Sequence, residues 1–239
     1  MSGVLPAALA IGALACAAWW RRRHPIPCPA RFAWLLENPL MERVAGAEAI
    51  VDRLQVEAGM TVLDAGCGAG RVTVALARAV GPGGRVVAVD VQRAMLNRME
   101  DRLRKEGIGN VESLHAALGE GDLPAGLFDR AVLVAVLGEI PDRAAALAEI
   151  HAALRPGGLL SITEILPDPD YQGRRAVLRQ CERAGFAFAA AYGRGLAYTA
   201  NFRKPAAASE RSASASARSG PARRGCAPAG TEAIWRRDE

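Results

Sequence analysis

At 239 residues, 51% of them apolar, the chain has the length and material for one α/β domain of ordinary size with extensions and a full core. Its net charge of +5 is modest, and the excess sits in Arg21 to Arg23 and in the C-terminal tail, which argues against a nucleic-acid partner. The five cysteines show no C-x-x-C spacing and no disulfide framework, as suits free thiols in a reducing compartment.

In chain order, the first element is the uncharged run Val4 to Trp20, which ends in Trp19-Trp20 and is followed by Arg21-Arg22-Arg23. Its roughly 17 residues lie at the short end of the spanning range. The tryptophans suit a membrane interface, and the arginines supply a positive-inside flank. Residues 1–23 are therefore expected to form a single transmembrane helix, with the rest of the chain facing the cytoplasm. A cleaved signal peptide would carry its positive charges ahead of the apolar run instead. Residues 24–40 follow as a spacer, stiffened by Pro25, Pro27 and Pro29. Its apolar group Phe32, Trp34, Leu35 and Leu36 reads either as an interfacial segment or as a helix packed over the domain.

The domain itself is expected over residues 41–204. A strand at Met60 to Asp64 runs into the sequence VLDAGCGAG, Val62 to Gly70, and Val72, Leu76 and Val80 give helical spacing to Arg71 to Val80. The glycines thus lie on a strand-to-helix turn, where main-chain amides at the helix start are unpaired donors. A dinucleotide fingerprint fails by one residue, because Arg71 stands where the last glycine belongs, and no Gly-Lys-Ser/Thr ending makes a P-loop. The next strand, Arg85 to Asp90, reads as a buried parallel strand ending in Asp90, at a distance where an acid meets a ribose.

A helix at Arg93 to Lys105, a strand at Asn110 to His115 and a strand at Ala131 to Leu137 follow. Then come a helix at Arg143 to Leu154, the turn Leu154-Arg155-Pro156-Gly157-Gly158 and a strand at Leu159 to Ile165. A helix at Arg174 to Ala184 leads to a closing hairpin, Phe186 to Tyr192 and Leu196 to Phe202, turning through Gly193 and Gly195. Strands alternating with helices predict an α/β fold with a parallel sheet covered on both faces. Pro205 to Glu239 is a low-complexity tail expected to be disordered, with solvation or contact to anionic lipid as its two readings.

The pattern Asp64-x-Gly66-x-Gly68-x-Gly70, with Asp90 and the LRPGG turn, resembles the class I methyltransferases that use S-adenosylmethionine. Within them it is most similar to the ubiquinone- and menaquinone-biosynthesis-like branch, over about Met41 to Lys204. The resemblance implies a Rossmann-like seven-stranded sheet, mostly parallel with a C-terminal hairpin, and S-adenosylmethionine as cofactor. It implies that Asp64, Gly66, Cys67, Gly68 and Gly70 surround the methionine end of the cofactor and that Asp90 and Val91 meet the nucleoside. Cys67 reads as filler rather than as a nucleophile. One position departs from the pattern: after strand three the family's acid is replaced by His115-Ala116-Ala117-Leu118. Asp122 either supplies that adenine contact or is an exposed turn residue.

Methyl transfer asks the site mainly to align the reactants and exclude water, with a base only where the acceptor carries a proton. Glu139, beyond strand four, is the first candidate for a base or substrate contact, with a helix-start carboxylate as the alternative. Glu164 and Tyr171, beyond strand five, lie in the same zone, and His151 reads as structural. The expected function is methyl transfer to a small-molecule or lipid-like acceptor, hydrophobic or met at the membrane, without a metal. The alternative is a cofactor-binding but inactive membrane scaffold. The oligomeric state is left open.

Overall fold

Continuous apolar runs between glycine turns require strands buried on both faces, and in the computed structural model neighbouring residues of each central strand serve different cores. The structure describes residues 46–166, 168–193 and 195–206. Leu63, Val87 and Leu133 face one core, built with Leu147 and Ile150 of one helix and Val177 of another. Val62, Val86 and Val132, each one residue earlier, face a second core on the opposite side of the sheet.

The elements are α1 (Ala47–Leu54), β1 (Thr61–Ala65), α2 (Arg71–Val80), β2 (Arg85–Asp90), α3 (Arg93–Glu106), β3 (Val111–His115) and β4 (Phe128–Val134). They continue with α4 (Arg143–Ala153), β5 (Leu154–Ile165), α5 (Arg174–Arg183), β6 (Ala187–Tyr192) and β7 (Ala197–Arg203). The seven strands form one sheet in the order β3-β2-β1-β4-β5-β7-β6. The pairs from β3 through β5 are parallel, and β7 enters antiparallel between β5 and β6. The expected seven-stranded, mostly parallel sheet with a terminal hairpin is thus the one observed. Strand order reverses beside β1, so the carboxyl ends of β1 and β4 open a crevice at the switch point, where ligands bind in such sheets.

Helix α1 is an element the sequence reading leaves unassigned, although its signal is present. Ala47, Ile50, Val51 and Leu54 recur at helical spacing and are all buried. Gln55 ends the helix in the left-handed conformation at φ +56°. Arg53 donates to the Thr199 hydroxyl at 3.0 Å, and Asn201 donates to the Arg53 carbonyl at 2.6 Å, so α1 is tied to β7.

Most boundaries shift by a single residue, and the larger departures lie at β4 and β5. Strand four spans Phe128–Val134 rather than Ala131 to Leu137, because Ala135 turns to φ +55° and Leu137–Glu139 forms a 3₁₀ turn. An apolar run carries no mark of where its backbone leaves the ladder. Helix α4 stops at Ala153, and β5 begins at Leu154 with the LRPGG segment bulging out of the ladder between the pairs Phe128–Leu154 and Arg130–Leu159. Gly157 and Gly158 pair with Lys204 through the Gly157 amide and carbonyl of Gly158, which keeps the bulge attached to the sheet. Asp129 secures the same end, accepting from the Thr61 amide at 2.9 Å and pairing with Arg155 at 2.5 Å.

Among the described residues no helix is long and apolar enough to cross a membrane. The expected anchor at 1–23 and spacer at 24–40 lie outside those residues, as does the tail beyond Ala206. Phe128, fully buried at the start of β4, anchors the larger core. Phe128→Ala is expected to lower stability by about 3–5 kcal/mol through lost transfer energy and a cavity, which chemical denaturation followed by circular dichroism would measure.

Candidate cofactor site

The turn after β1 is stitched to the end of β2 before any ligand is considered. The Gly66 and Cys67 amides both donate to the Val89 carbonyl, at 2.8 and 2.9 Å, and the Gly70 amide closes the turn on the Cys67 carbonyl at 3.0 Å. The three glycines all hold positive φ, but for different ends. A Cβ on Gly66 would meet Val136 at 2.5 Å, and one on Gly70 would meet Met99 at 2.6 Å, so these two permit close packing. Gly68, at φ +54°, has nothing within 4 Å of that position and faces open space.

That open space is a cavity of about 250 Å³ at the switch point, lined by Gly66, Gly68, Asp90, Val91 and the residues 116–118, 134–136 and 139–141. Asp90 and Glu139 are the only charged side chains among its described lining residues. Asp90 accepts from the Gly68 amide at 2.9 Å through Oδ2 and from the Gln92 amide at 2.8 Å through Oδ1. Burial raises its pKa and these two amides pull it back. A carboxylate has about four acceptor positions, so two amides leave room for a pair of ribose hydroxyls. Val91, 48% exposed, offers an apolar surface beside it.

Asp64 and Cys67 sit behind the turn rather than on the cavity. Asp64 is 3% exposed and accepts the Thr73 hydroxyl at 2.6 Å, which braces β1 to α2. Burial, opposed by that hydrogen bond and reinforced by Asp90, pushes its pKa up to about 6. Its contribution to stability therefore falls as pH rises from about 4 toward 6, since the native state holds the proton longer. The Cys67 side chain packs with Val74, Leu96 and Met99, and burial pushes its thiol up, so it is not a poised nucleophile. Of the residues the resemblance implicated, the structure brings Gly66, Gly68, Asp90 and Val91 to the cavity and leaves Asp64, Cys67 and Gly70 as its support, while Glu139, expected from its place beyond strand four, also lines the cavity.

The wall after β3 carries only Ala116, Ala117 and Leu118. Asp122 is exposed and does not line the cavity, so it is a turn residue. The loop is held instead by Glu149 of α4, which accepts from the amides of Gly119 and Leu123. Ala135 is a lining residue that the sequence could not mark: at φ +55° it is a strained non-glycine, kept by its amide's 2.8 Å bond to the Thr163 carbonyl.

Glu139 stands on the 3₁₀ turn, half-buried, with access to the cavity. It is not the helix-start carboxylate of α4, because Asp142 caps that helix by accepting from the Ala145 amide at 2.9 Å. Glu164 and Tyr171 lie beyond the cavity wall, and His151 packs edge-on to Phe186 at 4.8 Å, a structural role.

Residues 62–158 match the family model described as a methyltransferase domain. The demethylmenaquinone methyltransferase of Geobacillus kaustophilus is 34% identical over 112 residues, 47% of this chain and 48% of that protein. The ubiquinone/menaquinone biosynthesis C-methyltransferase UbiE of Hahella chejuensis is 36% identical over 115 residues, 48% of this chain and 46% of that protein. The chain thus spans about half the length of the curated relatives it matches. A crystal structure of a SAM dependent methyltransferase from Aquifex aeolicus superposes with a TM-score of 0.69 at 25% identity, covering 74% of this chain and 99% of that one.

The open Cβ position at Gly68, the spare acceptors of Asp90 and the apolar walls fit S-adenosylmethionine. Gly68→Val is expected to abolish its binding, measured by isothermal titration, because the branched side chain enters the ligand's space and is itself strained at φ +54°. Near-normal affinity would contradict this assignment of the turn. Fold, turn and matched sequence agree: residues 62–158 match a methyltransferase-domain model, and the seven-stranded sheet that contains them is similar to that of a SAM dependent methyltransferase.

Proposed function

We propose that the protein transfers the methyl group of S-adenosylmethionine to a small hydrophobic acceptor of quinol type, met at the cytoplasmic face of a membrane. The observation that carries this is the wall of the cavity beyond β4. There Val134, Ala135, Val136, Ile140 and Pro141 surround a single carboxylate, Glu139. An aromatic ring that carries hydroxyl groups suits such a wall, since its faces bury against aliphatic side chains while one acid receives a proton. The names of the demethylmenaquinone and ubiquinone/menaquinone relatives support the same acceptor class. A cofactor-binding but inactive scaffold finds no support among them.

The cofactor supplies a methyl group on a positively charged sulfur, and that charge is lost on transfer. The chain's own residues have simpler tasks. Gly68 and Asp90 hold and orient the nucleoside and methionine parts, the aliphatic wall excludes water, and the Glu139 carboxylate takes the proton that the acceptor gives up as the methyl group bonds to it. Residues 1–23 support the membrane part of the proposal through their uncharged run and arginine flank.

The test is the full-length protein in lipid vesicles with S-adenosylmethionine and a demethylated menaquinol, the methylated quinol being read by mass spectrometry. Turnover on thiols, lipids or proteins but on no quinol would overturn the acceptor class. Glu139→Gln is expected to lower kcat by about 10²- to 10⁴-fold, the usual worth of a general base, with cofactor affinity unchanged. Deletion of Met1 to Arg23 should release the protein from membranes and leave cofactor affinity intact. A truncated protein that still pellets with membranes would count against a sole anchor.

A further inference from the structure

Behind the cavity wall, the end of β5 carries a buried carboxyl group that neither the cofactor nor Glu139 accounts for. Glu164 is 1% exposed and stands opposite Tyr198 in the β5–β7 ladder. Its Oε2 accepts from the Gln172 amide at 2.8 Å, while the Tyr198 hydroxyl donates to the Gln172 carbonyl at 2.6 Å. Both backbone groups of one residue beyond the strand are therefore gripped by two adjacent strands.

From Gln172 the order passes backward along the chain. Its side-chain amide donates to the Asp170 carbonyl at 2.8 Å, and the Asp170 amide donates to the Asp168 carboxylate at 2.8 Å. The Asp170 carbonyl lies so close to Gly138 that any Cβ there would overlap it. Gly138 is the middle residue of the 3₁₀ turn that carries Glu139 into the cavity. A mechanical path thus leads from Glu164, through residues 168–172, to the acceptor side of the site.

The Gln172 amide by itself favours an ionised Glu164, and burial of the carboxyl opposes it. Oε1 is fully buried and has no hydrogen-bond partner, so an ionised carboxyl would carry uncompensated charge there. The groups that face it are Glu139 on the turn, Arg143 at the start of α4, Asp168 and Tyr171 on the connecting segment, Arg174 of α5 and Tyr198 of β7. Arg143 is committed to the carbonyls of Leu137 and Gly138, at 3.0 and 2.9 Å. Arg174 donates to the Gly193 carbonyl and lies over the Tyr198 ring at 5.3 Å. Burial above all, with Asp168 and Glu139 adding like charge against the Gln172 amide and Arg143, pushes the Glu164 pKa up to about 8.

We propose that Glu164, held as a neutral carboxylic acid, is the positioning residue of the acceptor side: it locks residues 168–173 against the turn that carries Glu139, and loss of its proton to solvent releases the lock. The proposal rests on the acceptor reading above only for the role of Glu139. Because the native pKa lies above the unfolded value of 4.5, the folded state binds more protons across that window. Stability from this group falls as pH rises toward 8 and levels beyond it.

The test compares the wild-type full chain with Glu164→Gln and Glu164→Ala by denaturant unfolding and by hydrogen exchange of residues 168–173. From about pH 7 to about pH 9 the wild-type folding constant should fall about tenfold more than that of Glu164→Gln, which cannot ionise and still accepts the Gln172 amide. The segment should lose protection over the same range in the wild type, keep it in Glu164→Gln, and lack it at both pH values in Glu164→Ala. Equal pH dependence of wild type and Glu164→Gln would overturn the proposal, as would full protection of Gln172 in Glu164→Ala. If the alanine variant does not fold, the glutamine comparison decides alone. None of these readouts needs an acceptor, so failure here is distinguishable from failure of the quinol reading.

Discussion

The hydrogen bond from the Gly68 amide to the Asp90 carboxylate is the joint on which the site depends. It fastens the turn after β1 to the end of β2, beside the two amides that already meet the Val89 carbonyl. A backbone that approaches a ligand must be both close and immobile, and these demands usually conflict. Here the missing Cβ of Gly68 gives the closeness, while the packing of Gly66 on Val136 and of Gly70 on Met99 gives the immobility. The parallel sheet makes the joint available, since β1 and β2 end side by side at the same level.

Carboxyl groups divide the labour around that joint according to solvation. Asp90 and Glu139 reach the cavity and can meet a ligand. Asp64 and Glu164 are buried behind it and act through their neighbours, Asp64 on Thr73 and Glu164 on Gln172. In both of the latter, burial raises the pKa, and each is tied to a single strong hydrogen bond rather than to a salt bridge that would stabilise the ion. The same residue type thus serves as ligand contact where water or ligand can solvate it, and as a brace where neither can.

The line between legible and illegible features follows locality. The glycine turn, Asp90, the strand and helix alternation and the hairpin could be read because each depends on residues adjacent in the chain. Helix α1 is also written locally, in the helical spacing of Ala47, Ile50, Val51 and Leu54. The end of β4 was not legible, because Ala135 adopts positive φ only under the constraint of the Thr163 carbonyl, which a neighbouring strand supplies.

By itself the sequence determined the sheet, the order of its elements and the chemistry of the turn, since backbone conformation and two-sided burial are set by residue type and spacing. Only the tertiary structure decided which of the motif's residues face the ligand and which support the turn from behind. Asp64 and Gly68 are four residues apart and look equally functional on the page, yet one is sealed against α2 and the other borders the cavity. The same holds for Glu139 and Glu164, whose roles differ because a folded core excludes water from one and not from the other. Solvation of a side chain is a property of the surfaces packed around it, and those come from distant parts of the chain.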